Sequence, residues 1–598
     1  MKIPNGALGV PGTGIESVKE YLEGLGAVPL SATELASINK VRFIAGWKLG
    51  VDFGGGQEHM LAMVLPEGFP YEAPRVAVLD APPILTWPHL EEGKLLCVLP
   101  ATTAVDPELP TAQIGELLNE AIRLVQSILS GRLDDDFDRE FTAYWRRGAA
   151  TDAQEFVSLL EPSGVHREIQ IWRGKSFHVV AETADDLRNW MYKRFGREKA
   201  AGMVFAKSLC LVAKAAIRPT DYPRSAADLR RLFVGDHRAL ELMAAQALGD
   251  DDRDIVIAVP TPTGMGFAAV SIAPGGQPSP GGKRVDEFWK GFRKGRMPPN
   301  VALQRATSPA RKVTRHKVDR VDHSWIHGRD HDSRQVVLKD ANVLLVGCGS
   351  LGSSVAELLA RAGVGNLTLM DGEVLDWANI SRHSLGAENV GNPKASALKN
   401  RLATAFPHLP QIEAIDRPLT PATADNLAER NLIVTTTGRW AVDSLVNRWQ
   451  RSGYVGTVLY AWLEPHVAAA HAVTIPPGGA CLRCHMTGTG TPELAVTEWK
   501  GGGAIPIPSC GGTFAPYGAA ELAFAHALVV GQALEALLAP TTGSRHATWI
   551  GSTASWHALG GSLSAAWKMQ VGDPGEGGVV VLRPWTPVVA CPVCGGQP

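Results

Sequence analysis

What this chain lacks narrows its function before any motif is considered. It has few cysteines, eight in 598 residues. With no secretory leader visible, they read better as metal ligands, nucleophiles or packing groups than as disulfides. No run of roughly eighteen uninterrupted apolar residues occurs. The most apolar helical stretch, residues 519–538, carries Glu521, His526, Gln532 and Glu535, so no membrane partner is expected. The opening MKIPNGALGVPGTG lacks the apolar core of a signal peptide, and the expectation is a cytoplasmic protein. Net charge is almost absent, −2, with neither a polybasic run nor an acidic tail, which argues against nucleic acid as a partner. Length is not lacking: 598 residues exceed one hydrophobic core. The chain divides into residues 1–150, 151–320 and 321–598.

Residues 342–371, NVLLVGCGSLGSSVAELLARAGVGNLTLMD, read as strand, glycine loop, helix and second strand without a gap. Residues 342–346 suit a strand buried on both faces, and Gly347, Gly349 and Gly352 spell GxGxxG where strand becomes helix. Such glycines serve a tight turn, close approach of amide N–H groups to phosphate, and close helix–strand packing. The helix, residues 351–362, directs its N-terminal dipole at the anion, Gly363 caps it, and Asp371 ends the second strand where a carboxylate accepts hydrogen bonds from ribose hydroxyls. Alone this pattern favours a nicotinamide enzyme. The following residues change that, because Asn379, Arg382 and Lys394 offer amide and cationic donors that suit a triphosphate and that hydride transfer does not need.

Together these residues resemble the ThiF/MoeB/ubiquitin-activating adenylation family over roughly residues 324–598. The resemblance implies an α/β Rossmann-like domain that uses ATP and Mg²⁺ to convert a protein C-terminal carboxylate into an acyl-adenylate, and that forms homodimers. It also implies an arginine from the preceding segment on the triphosphate: Arg329 is the first choice and Arg334 the second. The family's magnesium aspartate falls on Gly438 here, and Asp443 is the nearby substitute. A crossover-loop cysteine that attacks the adenylate corresponds to Cys510, ahead of the helix at residues 519–538.

Two CxxC pairs, Cys481/Cys484 and Cys591/Cys594, can close a tetrahedral Zn²⁺ site with no open position, a structural arrangement. A redox reading of one pair would leave the other unexplained.

At the other end, the spacing predicts a helix over residues 15–25, strands over 41–53 and 59–65 joined at Gly54, Gly55 and Gly56, and an amphipathic helix over 111–130. With the proline-rich residues 65–80 and the WPHLEEGKLLCVLP segment, this α+β domain resembles a ubiquitin-conjugating enzyme. Trp87-Pro88-His89 stands where that family carries His-Pro-Asn ahead of the catalytic cysteine, here Cys97. The resemblance makes Cys97 the thioester carrier and puts His89 in place of the asparagine that stabilises the oxyanion. Residues 134–149, an acidic then aromatic run, read as a solvated turn leading into a packed helix, with no catalytic role assigned to the acids.

Residues 151–320 read as a small α+β domain without recognisable chemistry. Strands are expected at 169–172, 177–181, 255–259 and 267–272, helices at 184–192 and 226–246, and loops at 274–283 and 297–314.

The sequence thus predicts adenylation of a protein C-terminus, thioester relay through Cys510 and then Cys97, and transfer to a target amine. This arrangement resembles the activating–conjugating fusions of CBASS anti-phage operons, whose substrate is the C-terminal tail of a cGAS-like nucleotidyltransferase. A ubiquitin-like protein, a sulfur carrier or an inactive scaffold are the alternatives.

Overall fold

The computed structural model describes residues 11–38, 43–98, 106–249, 253–273, 287–293, 295–503, 505–506, 513–514 and 518–595. They fall into two compact units, Met1–Val157 with Pro162–Val180 and Phe205–Asp319, and Ser158–Glu161 with Ala181–Val204 and Arg320–Pro598.

In the first unit, strands Val28–Pro29, Phe43–Asp52, Glu58–Pro66 and Arg75–Val78 form an antiparallel sheet in that order. The tight reversal between its two long strands requires left-handed backbone, and Gly54, Gly55 and Gly56 supply it at φ 87°, 65° and 82°. Helix Pro110–Leu129 buries Ile114, Leu117, Leu118, Ala121 and Val125 along one stripe, in one core with Leu61, Met63, Val76 and Val78 of the sheet. Each large side chain in that stripe contributes about 1.5–3 kcal/mol, so Val125→Asp would break the layer. The helices and long strands expected here are present with small end shifts. Strand Arg75–Val78 and the short helix Ala32–Ser37, held by a Ser31–Glu34 capping box, were not expected.

The same unit contains an eight-stranded sheet running Val313–His316, Gly264–Ile272, Arg253–Thr261, Phe205–Val212, Arg167–Arg173, Phe177–Ala181, Glu155–Ser158 and Val318–Arg320. Helix Phe141–Gly148 sends Phe141 and Trp145 into the core of this sheet, beside Leu209 and Ile257. The helix expected over residues 226–246 is two, Ala226–Arg231 and His237–Leu248, because Gly235 at φ 74° turns the chain and Asp236 caps the second. The expected loop at 297–314 holds helix Pro299–Ala306 and the start of strand Val313–His316. That at 274–283 lies outside the described residues.

The second unit is built on a sheet running Gln411–Ile415, Asn366–Met370, Asn342–Val346, Leu432–Thr435, Thr457–Leu463, Ala469–Ile475, Arg545–Ile550 and Val579–Pro584. The first five strands are parallel and the last three join antiparallel. Chain order reverses between Asn342–Val346 and Leu432–Thr435, which opens a crevice at the carboxyl ends of those strands. Helix Ala519–Leu538 is long and apolar enough to cross a membrane, but Leu522, Ala525, Val529 and Ala533 lie in the core of this unit. Helix Ala184–Phe195, assigned to the middle region from sequence, belongs to this unit. Its Lys193 donates to the Leu409 carbonyl at 2.6 Å.

Candidate active sites

The GxGxxG loop joins strand Asn342–Val346 to helix Ser350–Ala362, and each glycine is required for a different reason. Gly347 is left-handed at φ 96°. A Cβ on Gly352 would lie 1.8 Å from the Gly347 carbonyl oxygen, a contact no side chain tolerates. Gly349 meets nothing within 4 Å and faces open space. Two buried histidines hold the loop from behind: His383 Nε2 donates to the Cys348 carbonyl at 2.6 Å, and His526 Nε2 donates to that of Ser350 at 3.1 Å. Burial pushes the pKa of both imidazoles down, so they act as neutral donors.

Asp371 stands at the tip of the next strand. Its Oδ2 accepts from the Cys348 N–H at 2.6 Å and its Oδ1 from the Glu373 N–H at 2.7 Å, so the expected ribose ligand also sets the shape of the loop. Beside it Glu373 bridges two cations, Lys394 at 2.8 Å and Arg439, and the Lys394 bond holds the Glu373 carboxyl below its ordinary pKa. Neither Glu373 nor Arg439 was singled out from sequence, although Glu373 lies only two residues beyond Asp371.

Two cavities flank this loop. One of about 320 Å³ is lined by Val346, Gly347, Met370, Asp371, Glu373 and Leu419, an apolar floor with a carboxylate edge. The other, about 580 Å³, is lined by Trp440, Asp443, Trp462, Glu464, Leu482 and Met486 among others. Gly349, Thr436 and Thr437 line both. Asp443 is buried, its Oδ1 has no hydrogen-bond partner, and burial raises its pKa to about 6. That oxygen fits a hard cation's demand for oxygen ligands where Gly438 offers none.

Not every expected residue is gathered here. Asn379 caps the turn Trp377–Asn379, its Oδ1 accepting from the Asp376 N–H at 3.1 Å, and neither it nor Arg382 lines the cavities. Arg329 lies over the Trp325 ring, 5.2 Å from its centroid, and Arg334 pairs with Asp332 at 2.7 Å. Neither arginine lines either of these two cavities. Cys510 lies outside the described residues.

The four cysteines of the CxxC pairs converge. All are buried, with their Sγ atoms within 4.8 Å of one another. Asn447 Nδ2 donates to Cys481 Sγ at 3.2 Å, and the Trp585 indole donates to the Cys481 carbonyl at 3.1 Å. Burial pushes Cys481 up to about 11 and Cys484 to about 12, so these two bare thiols resist ionisation, whereas hydrogen bonds hold Cys591 down against its burial; a cation would supply the charge the first two lack. The donor set fits zinc.

In the first unit, Cys97 is exposed and its N–H donates to the His89 carbonyl at 2.8 Å. His89 has φ 57°, and its N–H donates to Tyr144 Oη at 2.9 Å. The acidic run behind it is the expected solvated turn at Asp134 and Asp135, but Asp136 and Asp138 are partly covered. Asp136 Oδ2 lies 3.0 Å from His89 Nε2, while Asp135 and Asp138 pair with Arg218 at 2.9 and 2.8 Å.

Known families match the segments that carry the glycine loop and Cys97. The ThiF family model matches residues 326–574. The molybdopterin-synthase adenylyltransferase of Escherichia coli is 33% identical over 175 residues, covering 29% of this chain and 69% of that protein. The chain belongs to the ThiF family. A model of prokaryotic E2 family B matches residues 21–153, so this ThiF protein is a fusion with an E2-like domain. The ATP-dependent ubiquitin transferase-like protein Cap2 of Vibrio cholerae is 25% identical over 474 residues, 72% of this chain and 77% of that one. The adenylyltransferase and sulfurtransferase MOCS3 of Sus scrofa is 42% identical over 178 residues, 29% of this chain and 38% of its own length. The ThiF–E2 fusion is an enzyme of the ATP-dependent adenylyltransferase kind.

Proposed function

We propose that this fusion activates the C-terminal carboxylate of a protein as an acyl-adenylate, passes the acyl group to Cys510 and then Cys97, and conjugates it to an amine. The observation that carries this reading is the junction of the two cavities at Gly349, Thr436 and Thr437. ATP in the smaller cavity, its ribose on Asp371, directs its phosphates toward Gly349. An extended polypeptide tail fills the larger cavity and brings its carboxylate to the same place. Lys394 and Arg439 take the triphosphate once it displaces Glu373, with Asn379, Arg382 and the segment carrying Arg329 as further donors.

Asp443 would hold Mg²⁺, which neutralises charge on the leaving pyrophosphate. Cys481, Cys484, Cys591 and Cys594 would hold a structural Zn²⁺ that ties the C-terminal segment to the body of the unit. Carrying both thiol sites on one chain raises their effective concentration for relay. The reading takes a cGAS-like nucleotidyltransferase tail in cytoplasmic anti-phage defence as the substrate, with a ubiquitin-like protein as the alternative. Homodimers through the adenylation unit are part of this reading.

The test is pyrophosphate exchange with ATP and the candidate tail protein, followed by gel analysis of reductant-sensitive adducts. Cys510→Ala should retain exchange and lose every thioester, that on Cys97 included. Cys97→Ala should trap a thioester on Cys510. Normal charging of Cys97 in the Cys510→Ala protein would replace the relay with direct transfer from the adenylate. No tail-dependent exchange would remove the adenylation reading.

A further inference from the structure

The acidic run at residues 134–138 divides its carboxylates between two tasks. Asp135 and Asp138 are held by Arg218, whereas Asp136 turns to His89, and the side chains of His89 and Asp136 are only 18% and 17% exposed. The backbone of His89 is fixed on both sides, its N–H on Tyr144 and its carbonyl on the Cys97 N–H. Leu90 and Leu96 pair across the same small hairpin, so His89 and Cys97 face each other at its ends. The imidazole therefore has a half-buried carboxylate behind it and an exposed thiol beside it.

We propose that Asp136, His89 and Cys97 form a carboxylate–imidazole–thiol relay in which His89 accepts the proton of the attacking amine and Asp136 is the residue that positions it. This rests on the reading of Cys97 as an acyl carrier. It differs from a role for His89 as oxyanion donor, since an imidazole whose Nε2–H is donated to a carboxylate has Nδ1 left, and in the neutral ring that nitrogen accepts. A carboxylate that fixes the tautomer in this way recurs wherever imidazole serves as a base.

The proton and bond changes balance without another reactant. The amine nitrogen attacks the thioester carbonyl, the C–N bond forms, the C–S bond breaks, and the amine proton passes to His89 while the Cys97 sulfur leaves as thiolate beside the imidazolium. On reloading, the departing donor thiolate takes that proton. Hydrogen bonding with Cys97 first, and then with Asp136 and the charge of Glu140, raises His89 to about 9 against its burial. Acylation of Cys97 removes the first of these, so the ring gives up its proton more readily once the thioester has formed. The other groups around it are Tyr144, Arg139 at 3.8 Å from Asp136, and Arg147, whose partners are the Leu90 carbonyl and Glu91.

The experiment needs neither ATP nor a protein substrate, so its outcome is separable from that of the adenylation reading. The full chain is acetylated with p-nitrophenyl acetate, and loss of the acetyl group from the Cys97 peptide is followed by mass spectrometry at several lysine concentrations and pH values. In the native protein the lysine-dependent rate should show an imidazole inflection in addition to that of the amine. His89→Asn should abolish the inflection and slow the reaction about 100-fold. Asp136→Asn should slow it about tenfold and move the inflection to lower pH, while Asp136→Glu restores most of both. A structural role alone would not move the inflection. The proposal is overturned if His89→Asn reacts as fast as the native chain, or if Asp136→Asn leaves rate and inflection unchanged. Should either variant unfold, the native profile decides by itself: an inflection from the amine only overturns the relay.

Discussion

Histidines in the E2-like domain and in the adenylation unit are pushed in opposite directions. His89 is raised to about 9 by its thiol and carboxylate neighbours, so while the Cys97 thiol is free it carries charge at neutral pH. In the adenylation unit burial lowers His323, His327, His383, His408, His526 and His546, and these stay neutral. The contrast separates two ways of building a site. The thiol site is made by side chains that already hold a reactive charge distribution. The nucleotide site is made by backbone, and its histidines serve as neutral donors to loop carbonyls. Its charged groups, Lys394, Glu373 and Arg439, neutralise one another.

The largest perturbation should come from metal removal, and it should strike one side of the comparison only. Structural zinc of this ligand class contributes about 10–16 kcal/mol. Chelation, or Cys591→Ser, should therefore unfold the C-terminal segment and lower the melting temperature of the adenylation unit, with the E2-like domain unaffected. Elemental analysis of reduced protein should find about one zinc per chain, and finding none would return the cysteines to a redox role.

A backbone-built site should be most vulnerable at its closest contact. Gly352→Ala drives a Cβ to 1.8 Å from the Gly347 oxygen, and the loop must move to accept it. The expected cost is about 4 kcal/mol or more, with pyrophosphate exchange lost. Gly349→Ala, which meets nothing within 4 Å, should fold normally and lose only nucleotide affinity. Equal stability of the two variants, measured by urea unfolding, would break the claim that packing fixes the loop.

Next in size is the charge cluster. Lys394→Met should lower exchange by about 100-fold to 1000-fold, near 3–4 kcal/mol of transition-state stabilisation, with unfolding little changed because Arg439 still pairs with Glu373. Asp371→Ala is the less clean variant. It removes two backbone hydrogen bonds from the loop, and should cost about 1–3 kcal/mol of stability besides activity.

The backbone-built site was legible in the sequence because its information is local. Strand, three glycines, helix and Asp371 lie in one uninterrupted segment, and the structure reproduces their boundaries nearly residue for residue. The four zinc-type cysteines were legible because thiolate pairs advertise themselves by spacing. The Asp136–His89 contact was not, since it joins residues 47 positions apart and nothing in an acidic run says which carboxylate turns inward. Glu373 was hidden for another reason: in sequence a surface glutamate and a bridging one look alike. The helix break at Gly235-Asp236 lost to apolar periodicity that continues through it.

The smallest effect tests the histidine contrast itself. His327 Nε2 and His408 Nε2 are 2.8 Å apart, and burial lowers His327 to about 4 and His408 to about 3. One ring donates and the other accepts, and protonating both would set two like charges at that distance. Folded-state pKa values below the unfolded 6.5 mean that this stabilisation is complete above pH 6.5 and is lost as pH falls. Between pH 7.5 and 5, His408 should account for about 2 kcal/mol, and His327, only half buried, for a smaller screened share. His89 has the reverse sign: its contribution is complete below pH 6.5 and lost as pH rises through about 9. Acid should therefore loosen the adenylation unit first and alkali the E2-like domain first, an order that hydrogen exchange resolved by peptide reads directly. His408→Gln should flatten the acid limb by about half. An unchanged limb in that variant would place the acid sensitivity in another group.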